Sequence, residues 1–517
     1  MRKNLLLETL VALGLGAIMV ACGGSINSPV VTASVAKTAN PLVAQYTIAS
    51  GCIGEATVEF GPDTSYGRST SAVPVVGAYK PSNILVAGMR ATTTYHMRAQ
   101  VTCLDSGQPI QTPDTTFTTG SLPSSAPFPP MTVIRPSPSK TSPENSGIEL
   151  VNIVQLANGS EMQAYFTDRD ANPIWYYDVG PGNYPFTMKP LPNGHVILSI
   201  DGASVSTLRE VDLAGNTVRE MTIGDLENKV KSAGYDFDPK AYHHDICILP
   251  NGHLVVLVQT FKNFTNLTGY PGTIQVVGDA LIDLDQNWNP VWSWNGFDHL
   301  DINRHLFGLP DWTHGNAVVY DSNDGNLLLS MRHQSWVIKI NYDNGTGAGD
   351  ILWHLGYQGD FALTQNGVPT TDPSLWFSFQ HFPSIVSHNG TQTALAVWDN
   401  GDYRVLDAQG DTCSPSCYSR GTIFQYDQTS MVADLTWQDL PGYYGLWGGS
   451  INQLSNTNVE FDLNAPFPAS TAAWASEVQE VTQTSTPQIV WKMDIAGANA
   501  YRAYRVPSLY PGVTWQY

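Results

Sequence analysis

The chain has 517 residues, a formal net charge of −20 and only 14% charged residues. It is too long for one compact core, and too acidic for nucleic acid or an anionic membrane surface to be a partner. Gly 45, Pro 34 and Trp 14 among so few charges suit many short strands joined by tight turns. Any anionic substrate must be met by a local cluster of cationic or donor groups, against the field of the whole molecule.

The first residues read as an address. Arg2 and Lys3 precede a short apolar stretch, Thr9 to Val20, too short to persist as a spanning helix. Met19-Val20-Ala21-Cys22 resembles a bacterial lipobox, and Gly23-Gly24-Ser25 follows as a flexible tether. Residues 1–22 are therefore expected to be a lipoprotein signal with Cys22 lipidated, a plain secretory signal being the alternative. The expected location is periplasmic, with the lipid as the sole link to a membrane. Export permits disulfides, and the spacing offers Cys52 with Cys103 and Cys413 with Cys417, across Ser-Pro-Ser. Cys247, inside an apolar run, reads as a buried free thiol.

Residues 30–120 alternate in short runs broken by Gly, Pro and Ser. Gly88 to Ala99, with Tyr95, and then Thr115-Thr-Phe117-Thr resemble the closing strands of a fibronectin type III sandwich. An immunoglobulin-like β-sandwich is expected here, serving packing, spacing or contact with a second copy in a homodimer. Residues 121–146, rich in Pro and Ser, read as a linker or extended strap.

From residue 147 the sequence repeats. Runs ending in Asn158-Gly159, Asn193-Gly194, Asn251-Gly252, Asp324-Gly325, Asn389-Gly390 and Ser455-Asn456 recur, with Trp-bearing strands at Trp175, Trp292 and Trp353. The Asn-Gly and Asp-Gly pairs suggest type I′ hairpins. Six such units predict an all-β fold, a six-bladed β-propeller over 147–517, with a sandwich array or β-helix as the alternative. Superposing the hairpins turns sequence distance into geometry. His244 stands eight residues before Gly252, His381 nine before Gly390 and His314 eleven before Gly325. Phe186 and Gly449 hold the equivalent places in the second and sixth units. Three of the chain's 12 histidines thus reach one ring about the propeller axis, whereas His243 falls out of register behind His244. Arg332 follows Gly325 by seven residues, on the return strand beside His314; a bound oxyanion, or an ion pair with Asp245 or Asp311, would satisfy it.

Three imidazoles alone would suit zinc, and a metal-dependent propeller hydrolase is one reading. The arginine adds positive charge where a dication would sit, so no metal ligand is assigned. Three imidazoles and a guanidinium instead make an oxyanion cradle with one ring nitrogen free to attack, as transfer of a tetrahedral sulfuryl or phosphoryl group requires. Neither a G-x-x-x-x-G-K-[ST] loop nor a G-x-S-x-G elbow is found, and no cofactor is indicated. A surface propeller that holds an anionic ligand without turnover is the non-enzyme reading.

Four segments then carry a resemblance: His243-His244-Asp245, Asp311-Trp-Thr-His314-Gly-Asn316, Ser330-Met-Arg332-His333-Gln334 and Phe379-Gln380-His381. In this order they resemble the bacterial arylsulfate sulfotransferases, exported six-bladed propellers with a small N-terminal β-domain. The resemblance implies a ping-pong reaction in which an aryl sulfate gives its sulfuryl group to a histidine and a phenol collects it, without a nucleotide donor. It implies His381 as nucleophile; His244, His314 and Arg332 as sulfuryl ligands, with His314 or His244 handling the phenolic proton; and Asn316 orienting the site. The family's short-loop disulfide is similar to Cys413–Cys417. Tyr443, Tyr444 and Trp447 are candidates for an aryl pocket, with core packing as their plain alternative.

Overall fold

Alternating burial and turn residues at short intervals fold the greater part of the described residues into strands, mostly antiparallel. The computed structural model describes residues 30–516 except 106, 108, 125–127, 136–145, 157–161, 204, 405–416, 465 and 468–474. Cys22 and the leader lie outside the described residues, as does Cys413. Among the described residues no helix is long and apolar enough to cross a membrane.

Two sheets form the N-terminal unit. One joins Val31–Lys37, Ala44–Ser50 and Pro81–Val86; the other is built on Ile53–Gly61 and Thr94–Cys103. Their inner faces show the every-second-residue burial of packed sheets. The Tyr95 hydroxyl accepts the Arg90 amide at 2.9 Å, tying the corner, and a disulfide joins Cys52 to Cys103. The proline-rich stretch that follows is more than a linker. Its β-branched run Met131–Ile134 pairs with Ile489–Ala496 and covers what would be an open sheet edge.

Six sheets follow as blades, antiparallel except where Ala362–Gln365 joins Val432–Asp439 in parallel. Blade 2 begins with Asn183–Pro190, blade 3 with Ala241–Ile248, blade 4 with Gly315–Asp321, blade 5 with His381–Asn389 and blade 6 with Ser450–Gln453. Blade 1 takes its first strand from the far end of the chain, because Ala498–Val506 pairs with Ile148–Leu156 and closes the ring. At that closure buried Arg169 and Arg505 share Glu149, Glu460 and Glu480, and burial lifts the Glu460 carboxyl to about 8 despite Arg505. The hairpin turns differ from expectation. Gly194 and Gly252 have φ of 84° and 82°, but Asn193 and Asn251 are not left-handed, so the turns are not type I′. Instead Asn193 and Asn251 accept the amides of His195 and His253 at 3.0 Å, and the glycine alone takes the left-handed place.

The tryptophans of the outer strands have a common job. Trp175 Nε1 donates to Leu213 O, Trp292 to Gly347 O, Trp437 to Thr484 O and Trp491 to Arg169 O, at 2.8, 2.9, 3.0 and 3.2 Å. Each acceptor lies in a turn of the next blade, so indole bulk fills the gap and the N–H fixes the spacing. Blade 2 lacks this tryptophan, and Arg219 bonds Gln286 O at 2.6 Å in its place. Trp175→Ala is expected to lower stability by about 3–5 kcal/mol, and Trp175→Phe by about 1–3. Denaturant melts check both, and a negligible loss in Trp175→Phe would show that the hydrogen bond contributes nothing.

Candidate active site

The ring position is made by bulges. On the first strands, pairing shifts between Pro185 and Thr187, Tyr242 and Ile246, Gly315 and Ala317, and His381 and Ser384. The closing strand shifts at Tyr501, between Arg502 and Ala500. Such bulges re-aim side chains, and here φ values of 56° at His244 and 52° at His314 turn both rings toward the axis. The His244 ring centroid lies 5.0 Å from His314, 4.6 Å from Phe186 and 5.3 Å from Tyr501, and His381 lies 6.0 Å from Tyr501. The three expected histidines therefore converge, with Phe186 in the second blade's place. Tyr501 was missed because blade 1 has no first strand next to it in sequence. The sixth blade offers Gly448 and Gly449, at φ 69° and 98°; a Cβ on Gly449 would sit 2.4 Å from Trp398 Nε1.

Each ring commits Nδ1 and leaves Nε2 for the axis. His381 Nδ1 lies 2.7 Å from Asn400 Oδ1, and Asn400 Nδ2 donates to Gly445 O and Gly448 O at 2.8 and 3.1 Å. Those carbonyls fix the amide, so the oxygen faces His381 and the imidazole proton sits on Nδ1. His381 Nε2 then has a lone pair, which the Gly448 amide meets at 3.2 Å. Burial, then Arg332, holds His381 well below the ordinary histidine range, so it is neutral and nucleophilic at neutral pH. His314 Nδ1 bonds Asp311 Oδ2 at 2.6 Å, and His244 Nδ1 lies 2.7 Å from His243 Nδ1. Burial, then the neighbouring histidines, holds His244 well below its ordinary range as well.

Arg332 enters the same space from the strand return after Met331. Its Nη2 pairs with Asp402 Oδ2 at 2.8 Å and with Leu446 O at 3.1 Å, and its Nη1 meets His333 Nε2 at 2.9 Å. Its buried Nε has no partner among the described residues, which leaves one donor for a bound oxyanion. Neither expected ion-pair partner is used. Asp245 is taken by Lys189 at 2.7 Å and Arg502 at 3.0 Å, and Asp311 by His314. Asn316 donates to Gln380 O at 2.7 Å, so its amide positions the backbone next to His381 from a buried place.

Asp402 also accepts the Tyr444 hydroxyl at 2.5 Å, and burial raises its carboxyl to about 6 even against Arg332. On acidification from about pH 7 to about pH 5 it gains a proton, and Arg332 loses its internal counter-ion. His244 and His381 stay neutral across that window. The KM for an anionic ester is expected to fall several-fold on acidification, and Asp402→Asn to hold the low-pH value throughout. Steady-state KM at stepped pH measures this, and a step that survives in Asp402→Asn would refute it.

These residues face a cavity of about 800 Å³ whose walls include Tyr184, Phe186, Phe307, Tyr403, Trp447 and Tyr501. His243 also lines it, against the expectation that it points away, because the bulge breaks strand alternation. Tyr443, expected at an aryl pocket, is 40% exposed and outside the walls; its neighbour Tyr444 turns in to Asp402 instead. Asp311, His314 and His333 bring ligand atoms within 4.8 Å of one another, a different trio from the ring. In it His314 Nδ1 is bound to Asp311, and His333 Nδ1 to Asp311 O at 2.8 Å. Cys417 is disulfide-bonded, and Cys247 is free and buried.

Comparison with known proteins bears on this geometry. The chain is 27% identical over 147 residues to an arylsulfate sulfotransferase AssT of Escherichia coli O6:H1, covering 25% of this chain and 23% of that one. It is also 27% identical over 142 residues to the AssT of Lelliottia amnigena, with the same coverage. The match thus spans under a quarter of either relative's length. A solved protein of unknown function from Bacteroides caccae is 10% identical, covers 69% of this chain and 98% of its own, and has a TM-score of 0.40, too low to bear on fold or activity. Residues 136–502 match the arylsulfotransferase (ASST) family as a whole, and every ring residue from Phe186 to Tyr501 falls inside that match. On that match over most of its length, the chain belongs to the arylsulfotransferase family.

Proposed function

We propose that this protein moves a sulfuryl group from an aryl sulfate to a phenol through a covalent intermediate on His381. One observation carries the reading: a neutral imidazole with its proton fixed on Nδ1 by Asn400 turns Nε2 into a cavity beside a spare guanidinium donor. In the first step His381 Nε2 attacks sulfur, the S–O bond breaks and its electron pair leaves with the phenolate. The donor must displace the Gly448 amide from Nε2. Arg332, His244 and His314 stabilise charge on the non-bridging oxygens, and His314 or His244 gives the departing phenolate its proton. The second step reverses this with an acceptor phenol. Phe186, Tyr501 and Trp447 offer apolar faces for the two aryl groups in turn. No nucleotide donor takes part. The propeller from 147 to 517 is the catalytic domain, and the unit over 30–120 is a support that packs or contacts a second copy. The lipobox pattern at Cys22 supports a periplasmic enzyme anchored by lipid.

The test is intact mass after incubation with aryl sulfate alone, followed by peptide mapping. A sulfuryl adduct on the His381 peptide is expected, and loss of that adduct on adding a phenol. Phenol release with no adduct at any time would refute the covalent route.

A further inference from the structure

Behind His244 sit two buried groups that these steps do not use. His243 Nδ1 is 2.7 Å from His244 Nδ1, with the rings perpendicular at 88°, and His243 Nε2 is 3.1 Å from Asp279 Oδ1. The other Asp279 oxygen accepts Thr313 Oγ1 at 2.6 Å and the Gly315 amide at 2.5 Å, on either side of His314. Asp279, His243 and His244 are 3%, 3% and 8% exposed, so bulk water does not replace these contacts.

Two facing Nδ1 atoms at this distance share one proton, so one ring donates and the other accepts. When His243 is neutral and holds its proton on Nε2 toward Asp279, His244 must donate from Nδ1. It then turns a bare Nε2 to the cavity. When His243 carries both protons, His244 accepts at Nδ1 and turns an Nε2–H to the cavity.

We infer that His243 and Asp279 are positioning residues that store a proton and set whether His244 offers it to, or takes it from, the phenolic oxygen. This deepens the sulfuryl-transfer reading and rests on it. In the donor step the departing phenolate takes the Nε2 proton of His244. His244 takes the Nδ1 proton of His243 at the same time, and His243 is left neutral beside Asp279. In the acceptor step the incoming phenol gives its proton to His244 Nε2, and the Nδ1 proton returns to His243. One proton leaves and one returns per cycle, and His244 changes tautomer without becoming charged. That suits a ring which burial and its histidine neighbours keep from protonating. Asp279 supplies the counter-charge: burial pushes its carboxyl up, but the His243 ring at ion-pair distance and the bonds from Thr313 and Gly315 outweigh burial and hold it below the usual range. The titratable groups acting on His243 are His244 and Asp279 in contact, with Asp201 and Asp311 through space.

The experiment uses leaving-group basicity. Single-turnover phenol release is timed for phenyl sulfate, whose strongly basic phenolate needs a proton, and for 4-nitrophenyl sulfate, whose weakly basic one does not. His243→Gln is expected to slow phenyl sulfate about 10²-fold more than 4-nitrophenyl sulfate. Equal slowing of both esters, or slowing of neither, overturns the relay, since a merely structural residue would not distinguish them. Asp279→Asn supplies the same test if His243→Gln does not fold. It too is expected to slow phenyl sulfate about 10²-fold more than 4-nitrophenyl sulfate, because the imidazolium loses its counter-ion; equal slowing overturns the relay. Adduct formation on wild-type His381 from 4-nitrophenyl sulfate is scored separately. Its absence sinks the sulfuryl-transfer reading and the relay with it, whereas an adduct without the ester split sinks the relay alone.

Discussion

His381→Ala is expected to lower sulfuryl transfer on the order of 10⁴-fold or more and to abolish the adduct. Among the ring nitrogens, His381 Nε2 alone combines a proton fixed on the other nitrogen by a locked amide with burial and the direct field of Arg332, which keep the ring neutral. His314 leans on Asp311 and His244 on a second imidazole, arrangements that suit proton transfer and oxygen binding better than attack on sulfur. Removing the nucleophile leaves those donors in place, so the ester should still bind, measurable as competitive inhibition by an unreactive sulfonate. Donor binding with no turnover is the expected pattern. Substantial transfer in His381→Ala would move the nucleophile elsewhere in the ring.

Arg332→Ala is expected to lower kcat about 10²–10³-fold, the usual effect of losing a preorganised oxyanion donor. The same change leaves the Asp402 carboxylate, 2% exposed, without its cationic partner. An orphaned buried charge destabilises in its own right. Arg332→Ala with Asp402→Asn separates the two effects: thermal stability should return toward wild type while kcat stays low. Recovery of kcat in the double variant would show that Arg332 serves only to neutralise Asp402. Arg332→Lys should recover little, since the guanidinium makes its contacts through two terminal nitrogens and keeps Nε spare, a fork that an ammonium cannot copy.

Most of the blade architecture was legible because propellers repeat, and repetition converts distance from a turn glycine into height along the axis. That is why His244, His314 and His381 could be ranked together and Phe186 placed beside them. The logic failed wherever a contact crossed between repeats. Tyr501 and Arg502 lie over 300 residues from the blade they complete, so no local register reaches them. Asn400 and Asp402 follow strand Gln392–Asp399 at the end opposite its hairpin, which is the end that opens on the axis. Their Asp-Asn-Gly-Asp composition reads as a plain turn, although their place in the blade register was a usable signal. The alternative ion pair of Arg332 with Asp245 does not form for a related reason: Lys189 and Arg502 from two other blades occupy that carboxylate, and Asp402 pairs with Arg332 instead.

By itself the sequence determined the class of fold, the six units and the identity of four groups that line the central cavity, since strand period, turn chemistry and repeat spacing are local properties. Tertiary structure decided the state of those groups. Bulges with left-handed backbone turned the rings inward, burial removed their charge, and partners brought from other blades fixed which nitrogen carries each proton. Protonation depends on distances between segments far apart in the chain, and only the closed ring sets those distances.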